Sequence, residues 1–241
     1  MMFALELKKT KRTGFFPAFF AGALAASALP VINTAARPDS FIHQELPAFP
    51  VLLNANWSMC AMLNSFLVII GACILYHTEF SDRGIEKMHQ LPVSRNQMFF
   101  CKGLLLFLGT GIMTLLENLF LLFCAWYWFP DPSGILPAAI QNVWYSLILM
   151  LPVILLMLLT ASLCRNMWVS LGIGVTLLFT AQMLISSDTV LVYFPFALPY
   201  QFLSSGELSG DAVCFLAAAL AETLLFGALK LFLTKSRRYT L

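Results

Sequence analysis

Apolar residues in this chain are gathered into six long runs, parted by short polar passages. Neither the alternation of a half-buried strand nor the single apolar stripe of a soluble helix describes them. The runs cover about residues 14–33, 53–76, 103–129, 137–163, 167–185 and 211–233, each near or above the ~20 residues that an α-helix needs to cross a hydrocarbon core. The pattern predicts an all-α polytopic membrane protein with six transmembrane helices in one domain, residues 1–241.

The polar passages supply the connections. Residues 35–52 hold Pro38, Pro47 and Pro50 among Arg37, Asp39, His43 and Glu45, a composition that marks a loop. Residues 129–134, Phe-Pro-Asp-Pro-Ser-Gly, predict a tight turn. Only Cys164, Arg165 and Asn166 part the fourth and fifth runs, so those helices must be antiparallel neighbours. Pro152 predicts a kink inside the fourth. Residues 190–203 are apolar but broken by Pro195 and Pro199, too short to span, and predict a re-entrant or interfacial hairpin before the sixth helix, shielded by protein. At the start, Lys8, Lys9, Lys11 and Arg12 follow Phe3, Ala4, Leu5 and Leu7, as in a short surface helix. The first run lacks a small-residue cleavage site and is expected to remain as an anchor.

The longest charged passage is 79–102, EFSDRGIEKMHQLPVSRNQMFFCK. Glu79, Asp82, Arg83, Glu86 and Lys87 fall at helical spacing, with Glu79 and Arg83 in the favourable acid-before-base order. Phe80, Ile85, Met88 and Leu91 form an apolar counterface, predicting a short amphipathic helix at a membrane surface. Pro92 stops it. Ser94 and Gln97 then make a capping box, with Val93 and Met98 as its hydrophobic staple, so a new helix starts after a sharp corner.

These residues carry a family resemblance. Glu79, Gly84, Glu86, the string Leu91-Pro92-Val93-Ser94-Arg95, and Lys102, directly after a second apolar run, resemble the cytoplasmic loop of type-2 ABC exporter permeases. Within that class the chain looks most like the small permease subunits of lantibiotic-immunity and bacitracin-resistance transporters. The resemblance extends over the whole chain in length and segment order, but its specific part is about two dozen residues. It implies that the passage is a coupling helix docking on a separate ABC ATPase, present in two copies that hold ATP and Mg. Glu79, Arg83, Gly84, Ile85, Glu86, Met88, Leu91, Pro92, Ser94 and Arg95 are then the coupling residues. It also implies a second permease, related but distinct, and an antimicrobial peptide as substrate.

Composition agrees with the membrane assignment. The chain is 60% hydrophobic and 11% charged, against ~25% charged in a soluble domain. A net charge of +2 without an aromatic-interleaved basic stripe gives no sign of a nucleic-acid partner. Thirteen of the 14 lysines and arginines fall at the N-terminus, in 79–102, at Arg165 and at the C-terminal end, leaving Arg37 alone on the other side. By the positive-inside rule both termini are cytoplasmic, in a bacterial cytoplasmic membrane if the resemblance holds. Trp57, Tyr76, Trp126, Tyr127, Trp128 and Trp168 near span ends suggest interfacial belts. The six cysteines lack metal-ligand spacing and are expected as buried small apolar residues, so no metal site is expected.

No phosphate-binding loop, nucleophile elbow or HExxH helix is present. The expectation is a transport subunit, not an enzyme, with no cofactor of its own. Glu117 and Glu222 fall near the middle of the third and sixth spans, where a charge costs about 2.5–3.5 kcal/mol on insertion scales. Each either lines a transport path or makes an interhelical hydrogen bond, with Asn118, Gln182 or Asn64 as partners. A sensor or assembly protein, or a proton-driven transporter using these two carboxyls, remains open from the residues alone, although no internal repeat of the kind such transporters carry is visible.

Overall fold

The computed structural model describes residues 2–11, 13–42, 47–80, 95–130, 134–185, 189–203 and 209–236. Among the described residues eight α-helices follow one another, α1 Met2–Thr10, α2 Phe15–Ala36, α3 Asp39–Ile42, α4 Ala48–Phe80, α5 Arg95–Trp128, α6 Ile135–Leu163, α7 Met167–Leu184 and α8 Gly210–Ser236, and no strand occurs. Two 3₁₀ turns, Val190–Tyr193 and Leu198–Tyr200, lie between α7 and α8. Six helices, α2 and α4 to α8, are long and apolar enough to cross a membrane.

The first corner depends on Gly14, whose φ of 77° lies in the left-handed region that a residue with a Cβ avoids. It lets α1 turn directly into α2. At the fourth connection, Asn166 caps α7, its side chain accepting from the Trp168 backbone N–H at 3.0 Å.

Both ends of α4 differ from the sequence pattern, and a short helix, Asp39–Ile42, stands within the expected loop 35–52. Helix α4 begins at Ala48, not Leu53, and so includes Pro50. The first turn of a helix has no internal acceptors for its N–H groups, so a proline there removes nothing the helix uses. At its other end α4 continues through Phe80, which makes Glu79 part of the spanning helix's last turn. Helices α4 and α5 have 33 and 34 residues. At 1.5 Å per residue each is about 50 Å long, well beyond a ~30 Å hydrocarbon core.

The core lies where α2, α4, α5 and α6 meet. Phe15, Phe19, Leu52, Trp57, Leu106, Val153 and Met157 are buried in it. Close approach is needed at several glycines, among them Gly71, Gly174 and, against Leu67, Gly22. A Cβ on Gly71 would lie 2.6 Å from Leu106 and 2.7 Å from Phe19, and one on Gly174 would lie 2.7 Å from Ile69 and 2.8 Å from Met157. Small residues let membrane helices gain dispersion contact where lipid supplies no hydrophobic drive. Helix α8 packs against α6 through a smaller cluster that includes Tyr145, Leu149, Leu198 and Ala219.

The aromatic belts need correction. Trp126, Tyr127 and Trp168 are well exposed, but Trp57 and Tyr76 are buried in the core, 1% and 6% exposed. The cysteines divide too: Cys60, Cys73 and Cys124 are buried, Cys101 and Cys164 are partly exposed, and Cys214 faces outward.

Candidate functional site

A charged cluster occupies the end of the bundle where α4 finishes and α5 starts. Lys102, two turns into α5, is 1% exposed. Its Nζ donates to Glu6 Oε2 at 2.6 Å and to the Leu75 carbonyl at 3.0 Å, and lies 2.9 Å from Glu79 Oε1. The same ammonium sits 5.5 Å from the Tyr76 ring centroid, within cation–π reach. Lys9 completes the group, donating to Glu6 Oε1 at 2.8 Å and lying 3.8 Å from Glu79 Oε1.

Two acids thus face two bases. A buried charge survives only when it is paired and hydrogen-bonded, which explains why one lysine donates to a carboxylate and a carbonyl and stands in ion-pair contact with a second carboxylate. Burial alone would raise the Glu6 pKa. The charge and hydrogen bond of Lys102, with those of Lys9, outweigh that and hold the carboxyl below the usual range.

The cluster joins three elements distant in sequence. Helix α1 supplies Glu6 and Lys9, α4 supplies Tyr76 and Glu79, and α5 supplies Lys102. A second group ties in α6 and α8 at the same end. Lys230 Nζ donates to Ser162 Oγ at 3.2 Å and stands 4.9 Å from the Phe99 ring centroid, while Ser162 also hydrogen-bonds the Tyr76 side chain. Helix α1 and the last third of α8 therefore meet the same end of the bundle.

At the opposite end of α4, the Trp57 indole N–H donates to the Pro199 carbonyl at 3.0 Å. The turn around Pro199 is packed inward, with Phe196, Ala197 and Leu198 inaccessible to solvent. One helix thus contacts the charged cluster at one end and the 190–203 segment at the other.

Between these ends lies a row of interhelical polar pairs. Asn64 Nδ2 on α4 donates to Glu117 Oε2 on α5 at 2.9 Å, Asn142 Nδ2 on α6 donates to Asn118 Oδ1 on α5 at 3.0 Å, and Asn33 Nδ2 on α2 donates to Asn56 Oδ1 on α4 at 2.8 Å. Glu117 has its interhelical partner in Asn64, whereas Gln182 bonds Met62 Sδ at 3.0 Å. Glu222 is half-buried on α8, with Oε2 enclosed and unbonded. Nothing brings it to Glu117.

Of the residues assigned to coupling, Glu79 is described in full and turned inward onto Lys102, not outward onto a solvated face. Arg95 is the first residue of α5, one position after Ser94, where the cap is expected. Arg83, Gly84, Ile85, Glu86, Met88, Leu91, Pro92 and Ser94 lie outside the described residues, as does the amphipathic helix expected there. Glu6 and Lys9 were not singled out by sequence reasoning. The available signal was an acid standing alone among the basic residues of an otherwise apolar segment. Among the described residues no three of His, Cys, Asp and Glu gather as a metal-holding group.

The sequence profile of the ABC-2 family of transporter proteins matches residues 2–182, from α1 nearly to the end of α7 and including every member of the Glu6–Lys102–Glu79 cluster. No curated protein and no solved structure matches the chain. With six apolar helices and a family match over most of its length, the chain belongs to the ABC-2 family of transporter proteins, as a multi-pass permease subunit that works with an ABC ATPase.

Proposed function

We propose that this permease subunit serves an exporter that expels antimicrobial peptides from the membrane, with the stretch 79–102, and in it the residues from Glu79 to Arg95, as the coupling surface on which the ATPase docks. The observation that supports it is the Glu6–Lys102–Glu79 cluster, which clamps together the two helices that bracket 81–94. A displacement applied to that segment would reach α4 and α5 through paired buried charges rather than through a loose hinge. Helix α4 would carry it onward to Trp57 and the Pro199 turn.

In this reading both termini and the cluster are cytoplasmic, as the lysine and arginine distribution suggests. ATP and Mg would sit on two ATPase copies, and a second permease, related but distinct, would complete the transporter. The peptide substrate rests on the resemblance of 79–102 to immunity-type permeases.

The test is purification of the tagged chain in mild detergent from its native host, with identification of co-purifying proteins. A stoichiometric ATPase, lost on Leu91→Asp while the permease still inserts, is the expected result. A chain that purifies alone in several detergents would overturn the docking assignment. For the substrate, cells expressing the complete transporter should tolerate more cationic antimicrobial peptide than cells carrying Leu91→Asp; equal tolerance would remove the peptide assignment and leave the permease.

A further inference from the structure

Asn64 and Glu117 leave an unfinished hydrogen-bond account. Both are buried, Glu117 completely, and they share the 2.9 Å bond from Asn64 Nδ2 to Glu117 Oε2. Their other oxygens, Asn64 Oδ1 and Glu117 Oε1, are each enclosed with no partner. Both are acceptors. Glu117 lies fifteen residues beyond Lys102 on α5, about 22 Å along the helix, so water at the charged end does not reach it.

A carboxyl and a primary carboxamide joined through the amide's syn N–H can close a second bond between their remaining oxygens, and both of those oxygens are enclosed here without a partner. One proton placed between these satisfies both. Rotating the carboxamide by 180° does not remove the need, because it sets two oxygens facing each other at the same separation. No charged side chain among the described residues acts on Glu117 to balance a negative charge. From α4 the neighbouring titratable group is the Cys60 thiol, and from α6 the nearby polar side chain is the amide of Asn142. An ionised carboxylate here would be desolvated and unpaired, the costliest arrangement available.

We propose that Asn64 and Glu117 form a proton-binding site, in which one proton carried on Glu117 Oε1 is donated to Asn64 Oδ1 and closes a cyclic acid–amide pair between α4 and α5. The site binds a proton as its ligand at neutral pH. It staples together, deep in the bundle, the same two helices that the Glu6–Lys102–Glu79 cluster joins at the end. The proposal does not depend on how 81–94 is used.

The test is infrared spectroscopy of the purified chain at neutral pH, reading the carbonyl stretch of a protonated carboxylic acid. The Glu222→Gln variant removes the other mid-span carboxyl from the reading. One protonated acid per chain is expected in that background, lost on adding Glu117→Gln and shifted to higher frequency by Asn64→Ala, which removes the amide partner. Glutamine at 117 can offer its N–H₂ to Asn64 Oδ1, so this variant keeps the two-bond pairing and should fold. Absence of the acid band in the unsubstituted chain and in Glu222→Gln would overturn the proposal, whether a water molecule or a sodium ion then bridges the two oxygens. An acid band undiminished by Glu117→Gln would overturn it equally.

Discussion

Lys102 Nζ stands 2.6 Å from Glu6 Oε2 across 96 positions of sequence, with both side chains 1% exposed. The same nitrogen is 2.9 Å from Glu79. Lysine 102 is therefore the hub of this end of the bundle, and its charge is matched by geometry rather than by solvent.

Replacing Lys102 with methionine keeps the side chain's volume but strands two carboxylates beside each other. Breaking a buried pair by removing one partner costs about 3–5 kcal/mol, most of it the penalty of the unpaired charge left behind. The expected result is a marked fall in thermal midpoint in detergent, with faster tryptic cleavage at Lys8, Lys9 and Lys11 as α1 detaches. Adding Glu6→Gln and Glu79→Gln should recover much of the loss, since no buried charge then remains unmatched. A Lys102→Met protein as stable as the parent would show that the cluster is dispensable.

The lowered pKa of Glu6 makes this contact acid-sensitive. Because the folded carboxyl binds its proton less readily than the unfolded one, its stabilisation is complete above the ordinary carboxylate range and is lost as pH falls through the depressed folded value. Thermal midpoints should therefore drop as the pH falls below about 4, with a shallower acid slope in Glu6→Gln. Identical slopes in parent and variant would remove Glu6 as a source of that dependence.

At the other end of α4, Trp57→Phe deletes the donor to the Pro199 carbonyl while keeping an aromatic ring in the core. A buried carbonyl left without a partner costs about 1–3 kcal/mol. Hydrogen exchange should rise across residues 190–203 and remain unchanged at the Glu6–Lys102 end. Uniform exchange changes along the whole chain would mean that the indole serves general packing instead.

How much of this was legible beforehand follows from what sequence periodicity records. Six spans were visible because each run must satisfy the bilayer by itself, residue by residue. The depth of Glu117 was visible for the same reason, and Asn64 stood among its candidate partners. Which faces meet was not visible. Trp57 and Tyr76 look like belt residues in sequence because an aromatic near a span end reads identically whether it faces lipid or core. The Glu6–Lys102 pair was hidden because only the fold brings α1 beside α5. Pro50 misled the α4 boundary, since a proline that ends one helix and a proline in the first turn of the next look alike until the hydrogen bonds are counted.

Glycines 172 and 174 offer a matched comparison on one helix. A Cβ at Gly174 would press on Ile69 of α4 and Met157 of α6, whereas a Cβ at Gly172 meets nothing within 4 Å. Helix propensity changes alike for the same substitution at either position, so any difference between the two variants reports packing alone. Gly174→Val should lose stability by about 1–3 kcal/mol, the usual range for overpacking a filled core. It should also lower the yield of folded protein in detergent. Gly172→Val should match the parent in thermal midpoint as an isolated chain, since it adds its methyl groups to an open face. If both variants fell equally, the α7 contact with α4 and α6 would not be the close approach that the 2.7 Å and 2.8 Å separations require. If Gly172→Val stayed stable alone but failed only in the assembled transporter, its open face would be where α7 meets another subunit.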